Sequence, residues 1–245
     1  MNTGMYTALS GNVASQQRLE ALTNNLANVN TAGYKKDRVI FESMLANVKN
    51  PSQGAGTPTE QTALSDVKLV TDYSAGSLRQ SGNSLDVALE GEGFFVVNTP
   101  EGRGYTRQGN FSLNGGGQLV TAEGYPVVGN GGPVTIKGGA VVIDASGNIS
   151  VDGNKVATLA TVDFPKPYPL TKAGNSVFKL DGSGAGEQPA KNIKVRQGCL
   201  EESNVNAIQE MAQLIETSRY YDSCVKAVQS YDTMMSKAAN DLGKV

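Results

Sequence analysis

Carboxylates, amides and thiols are the groups that could do chemistry in this 245-residue chain. Asp86, Glu90 and Glu92 are close enough in sequence to suggest the paired acids of glycoside hydrolysis. Charges at this spacing also make the solvated face of a strand, and there is no tryptophan to stack a sugar. The stretch EGEGFF (Glu90 to Phe95) contains a GxG, but β-forming residues follow it where a phosphate cradle needs a helix N-terminus, so it reads as a hairpin turn. DASGNISVDG (Asp144 to Gly153) has the acids of a calcium loop, yet Ile149 stands where that loop requires glycine, and the stretch reads as two successive β-turns. The chain has no histidine, which removes the commonest general base and metal ligand and leaves its serines without an activating imidazole. Cys199 and Cys224 fit no metal-binding or redox spacing, and Cys224 falls in a helical apolar row as a small buried hydrophobe. No catalytic, cofactor-binding or metal site is assigned, and the chain does not read as an enzyme.

The amides are concentrated in LTNNLANVNTAGYKK, residues 22–36, which carries Asn24, Asn25, Asn28 and Asn30. Asparagine costs a few tenths of a kcal/mol in a helix interior because its side chain competes for backbone groups. Where helices pack closely, the same side chain offers two donors and an acceptor. Asn24, Asn25 and Asn28 are therefore expected to bridge neighbouring subunits or backbone carbonyls, solvation being the alternative. Asn30, Thr31 and Gly33 are expected to shape the helix exit.

The elements that must hold these residues follow from periodicity. Met5, Leu9, Val13, Leu19, Leu22, Leu26 and Val29 recur at helical spacing, which predicts an amphipathic helix ending close to Asn30, with Gly33 as a left-handed cap and Lys35-Lys36-Asp37-Arg38 as a polar break. Residues 37–70 read as an extended, poorly regular connector, and residues 66–198 as short strands punctuated by glycine and asparagine, favouring an antiparallel all-β domain. Beyond Cys199 a heptad row returns: Leu214, Tyr221, Val228, Met235 and Leu242, accompanied by Thr217, Cys224, Tyr231 and Ala238. Ser203 and Asn204 are candidate N-caps. The predicted fold is α+β: a discontinuous helical core (1–36 and 200–245) forming a coiled-coil-like base, the connector 37–70, and a central β-domain (71–199). Packing of each helix on its own β-domain is the alternative. A net charge of -2 with 18% charged residues gives no field to draw nucleic acid or an acidic membrane. The N-terminus lacks a basic region followed by an apolar run, so no cleaved signal peptide is expected.

Three ordered blocks carry a resemblance. NNLANVNTAGYKK resembles the N-terminal signature of the axial proteins of the bacterial flagellum, the rod and hook group, with Tyr34 in place of the usual phenylalanine. SGNSLDVALEGEGFFVV with YTRQGNFSLNGGGQLVTAEGYPVVG is similar to that group's central β signature, and LEESNVNAIQEMAQLIETSRYYDSCVKAVQSYDTMM to its C-terminal helix signature. The short length and the MYTALSG start look most like the proximal rod type, with the distal rod type as the alternative; a β-rich wall-binding module on a helical stalk is the reading from another class. The resemblance implies a structural subunit of a helical tube in the basal-body rod, transmitting torque and crossing the periplasm. Its implied partners are copies of itself, other axial proteins and the flagellar type III export apparatus, with no cofactor, nucleic acid or small-molecule substrate. The assembly interface is then expected at Leu19, Leu22, Asn24, Asn25, Leu26, Asn28 and Val29 on the first helix and Leu214, Tyr221, Val228, Met235 and Leu242 on the last.

Overall fold

The computed structural model describes residues 3–43, 65–182, 186–190 and 193–242. The chain is a mixed α/β protein with a helix toward each terminus and a β-rich central region. It divides into two compact units: Met1–Ala27 with Asp37–Asp72 and Asn206–Val245, and Asn28–Lys36 with Tyr73–Val205.

In the first unit, α1 (Thr3–Ala27) packs against α2 (Ala207–Leu242). Asn206 starts α2: its side-chain oxygen accepts from the amides of Ile208 (3.1 Å) and Gln209 (3.2 Å), satisfying two of the orphan donors of a helix start. The cap is therefore Asn206 and not Ser203 or Asn204. α1 ends at Ala27, short of the expected Asn30, because the chain turns at Asn28, whose carbonyl accepts from the Thr31 amide and whose side chain accepts from the Thr31 hydroxyl. The two helices run antiparallel, since Asn25 of α1 meets Glu210 of α2 while Gly11 faces Tyr220 and Cys224. Within the stretch read as a connector, Asp37–Ser43 pairs antiparallel with Ser65–Thr71, from Asp37 opposite Thr71 to Ser43 opposite Ser65. The rest of that stretch lies outside the described residues.

The second unit is built on a six-stranded sheet in the order Leu170–Gly174, Val177–Leu180, Gly102–Thr106, Phe94–Thr99, Thr161–Asp163 and Gln188–Pro189. All strand pairs among the described residues are antiparallel. Successive side chains of a strand point to opposite faces, yet Phe94, Phe95, Val96 and Val97 are all buried. The reason is a core on each face: Phe95 and Val97 join Leu119, Val127 and Ile149, while Phe94 and Val96 join Tyr105, Phe164 and Phe178. Smaller sheets accompany it: the three strands Val141–Ile143, Asn148–Val151 and Asn154–Thr158, and two-stranded pairings that include Val87–Glu90 with Lys194–Gln197 and Leu78–Gln80 with Cys199–Glu201. EGEGFF is thus not a hairpin turn, because the strands on either side of it pair in different sheets and the glycines bend the chain from one to the other. The two turns expected in DASGNISVDG are present, the first held by the Asp144 carboxylate accepting from the amides of Ser146 (2.8 Å) and Asn148 (2.9 Å).

Candidate functional site

The three acids that could suggest a hydrolase do not form a pair aimed at a substrate. Asp86 is buried and accepts from the Asn83 amide at 3.0 Å. Glu90 accepts from Arg196 Nε at 2.6 Å, and that hydrogen bond and charge hold its carboxyl below the usual range, while Glu92 pairs with Lys166. Each carboxylate has its own partner.

In the helical unit, the face on which α1 and α2 meet is unusually polar. It buries Ser15, Ala21, Leu22 and Asn25 on α1, and Glu210, Thr217 and Cys224 at seven-residue steps on α2. Leu214, Tyr221, Val228 and Tyr231 are half-buried, as are Leu19, Leu26, Asn28 and Val29. Asn24 is exposed, on a surface groove it shares with Gln16, Leu19, Glu20, Thr23 and Ala27. Asn25 is 1% exposed, and its amide is committed inside the chain: Oδ1 accepts from the Asp37 amide, while Nδ2 donates to the Asp37 carbonyl (both 2.9 Å) and to Glu210 Oε2 (3.3 Å). Thr217 Oγ1 has no hydrogen-bond partner among the described residues.

Met235 does not continue the packed row and is 57% exposed. The antiparallel register explains this: carried along both helices at equal rise, it sets the start of α1 roughly opposite Asp232, so α1 has run out before Met235 is reached. The Leu242 side chain lies outside the described residues. Leu9 and Val13, read as part of the packed stripe, instead face outward, because Gly11 and Ser15 take the contact side. They share that exposure with Ile208, Met211 and Ile215 on α2, the first of which is 81% exposed.

The second unit contains a feature that the sequence reading missed. Lys35, read as part of a polar break, is 1% exposed and donates to Glu201 Oε1 at 2.6 Å and to the Ser74 carbonyl at 2.7 Å. Arg107 Nη1 donates to Glu201 Oε2 at 3.2 Å and to the Leu89 carbonyl, while Nη2 donates to the Gly91 carbonyl at 2.6 Å. Glu201 also accepts from the Gly76 amide at 3.0 Å. One carboxylate therefore serves two cations, all three groups being at least 95% buried. Such a cluster is weak evidence for stability, but removing one member leaves an uncompensated buried charge, at about 3–5 kcal/mol.

The chain around the cluster is drawn tight. The Gly33 amide donates to the Glu201 carbonyl at 2.8 Å, the Asn204 amide to the Tyr34 carbonyl, and the Lys36 amide to Asn204 Oδ1 at 2.8 Å, so residues 33–36 and 201–204 run side by side. Lys172 donates to the Lys35 carbonyl at 2.6 Å with its ammonium 4.4 Å from the Tyr34 ring centroid, a cation–π contact. Of the helix-exit residues, Asn30 is exposed, Thr31 half-buried and Gly33 buried. No single stretch of sequence signals the cluster; what unites its members is that each lies in one of the three blocks.

Comparison with known families divides the chain in the same way. A flagella basal body rod protein model matches residues 5–35, a model of the flagellar hook protein FlgE/F/G D1 domain matches 88–154, and a model of the flagellar basal body rod FlgEFG protein C-terminal region matches 196–242. Lys35, Arg107 and Glu201 fall one in each. Among curated relatives, the flagellar basal-body rod protein FlgF of Rhizobium meliloti is 36% identical over 99% of both chains. The basal-body rod protein FlgG of Borreliella burgdorferi is 33% identical over 98% of both, and that of Bacillus subtilis 31% identical over 98% of this chain and 99% of its own.

Proposed function

We propose, on the premise that this chain belongs to the flagellar basal-body rod protein family, that it builds the rod through contacts between the terminal helices of successive copies and of neighbouring rod proteins. It is a structural subunit of the flagellar basal body and not an enzyme. The observation that carries the assembly reading is the apolar surface that the helical unit leaves uncovered. With α1 and α2 already packed on each other, Leu9, Val13, Ile208, Met211 and Ile215 remain exposed. On α2, Ile208, Met211 and Ile215 follow one another at steps of three and four residues and so form one exposed row, and an exposed apolar row marks an interaction site. A head-to-tail contact that repeats without closing generates a filament.

In this reading the helices of many copies make a coiled-coil-like shaft, with Leu19, Leu26, Asn24, Tyr221 and Val228 at or beside the contacts, and rigid packing transmits torque. The β-rich unit is an antiparallel domain carried by each copy. The subunit reaches the periplasmic rod through the flagellar type III apparatus. Ile208→Asp tests the proposal. At 81% exposure the substitution leaves the monomer's thermal midpoint within about 2 °C, as expected for a surface site. The chain is still exported, yet cells carrying only this variant are non-motile and their basal bodies lack it. Full motility would refute the interface.

A further inference from the structure

We infer that the Lys35–Glu201–Arg107 cluster is a completion lock: the β-rich unit closes only once segments from both ends of the chain, residues 33–36 and 199–204, have docked on it. The argument starts at Arg107, which directly follows the strand Gly102–Thr106. That strand lies between Phe94–Thr99 and Val177–Leu180 in the middle of the six-stranded sheet, and in the closed unit the Arg107 guanidinium is out of water, over the Phe94 ring and bonded to the Leu89 and Gly91 carbonyls. Among the described residues Glu201 is the one carboxylate paired with it. Glu201 is in place only when Cys199–Glu201 has paired with Leu78–Gln80 and the Gly76 amide has reached Oε1. Lys35 is tied to that same oxygen, and Gly33 to the Glu201 backbone.

Each segment thus brings a charge that cannot be buried without the others. Apolar residues alone would impose no such condition, because Phe94, Phe178 and Tyr105 could collapse before either chain end arrived. The charges make closure all-or-none with respect to segments 166 residues apart in sequence. The lock is a property of the isolated chain and holds whatever the chain assembles with. In a chain exported unfolded, it would also keep the central region open until both ends were free.

Pulse-labelled amide exchange during refolding of the full-length chain from urea tests the lock. In the wild type, amides of Phe94–Thr106 are expected to gain protection in the same kinetic phase as those of Gly33, Gly76 and Glu202. In the combined variant Lys35→Met, Arg107→Leu, Glu201→Met, the sheet amides are expected to run ahead of the other three, splitting the phase in two. Glu201→Gln alone, which leaves both cations without their carboxylate, is expected to lower equilibrium protection across Phe94–Thr106 by on the order of a hundredfold. A wild-type sheet protected before Gly33 and Gly76, a combined variant whose phases stay coincident, or a Glu201→Gln sheet protected as before would each overturn the lock. If the combined variant does not fold, the wild-type order and Glu201→Gln decide the matter.

Discussion

Gly33 is fixed as glycine for two separate reasons. Its φ of +66° is a left-handed conformation, and a Cβ placed there would lie 2.4 Å from the Arg107 carbonyl carbon. Gly33→Ala should therefore destabilise the β-rich unit by about 3 kcal/mol or more, from the backbone penalty together with the displaced neighbour. Urea unfolding followed by near-ultraviolet circular dichroism measures this, and a loss under about 1 kcal/mol would show that the site relaxes. Tyr105 gives a pH dependence. It is 1% exposed and donates to Glu187 Oε1 at 2.5 Å; burial first, then that hydrogen bond and the carboxylate's charge, push its hydroxyl well above the ordinary tyrosine range. A raised folded value means that its contribution is fully present below about pH 10, where the unfolded side chain ionises, and is lost as pH climbs beyond it. The thermal midpoint should fall less steeply above pH 10 in Tyr105→Phe than in the wild type; identical slopes would remove Tyr105 as the cause. At this scale the sequence was partly legible. The asparagine cluster pointed to Asn25, but its partners Asp37 and Glu210 are set by folding. Nothing local separates buried Lys35 from its neighbour Lys36, because burial is decided by Glu201.

The helices were the most legible elements, because a seven-residue row states which side is covered without naming the cover. Thr217 and Cys224 of that row are buried, and Tyr221, Val228 and Tyr231 half-buried. Thr217 also gives a test of the polar character of this face. Its hydroxyl has no hydrogen-bond partner among the described residues, so Thr217→Val removes an unmet desolvation cost while keeping the shape. The substitution should stabilise the chain by about 1 kcal/mol, read as a raised urea midpoint; destabilisation would mean the hydroxyl is satisfied. The β elements were legible as a class and not as a map. FFVV announces burial, but its two faces belong to two cores contributed by residues as far apart as Leu119 and Phe178. EGEGFF has a hairpin's composition, and only the pairing of Glu90 with Lys194 reveals that the chain changes sheets there.

For the whole molecule, the order helix, β-region, helix was legible, because hydrophobic period changes near both ends of the chain. The boundary between units was not: Asn28–Lys36 is continuous with α1 in sequence yet clusters with the β-rich unit, through bonds to Glu201, Asn204 and Lys172. The helices differ in length, with 25 residues in α1 and 36 in α2, or about 38 and 54 Å at 1.5 Å per residue. A chain stopped after Asp232 should keep its monomer thermal midpoint within about 2 °C, since the removed turns lie beyond the start of α1. It should nevertheless fail to restore motility, and restored motility would show that those turns are dispensable. About 15 Å of α2 extends past the start of α1. In the assembly proposed above, such an overhang would stagger successive joints, so that a twisting load meets continuous helix where two copies join.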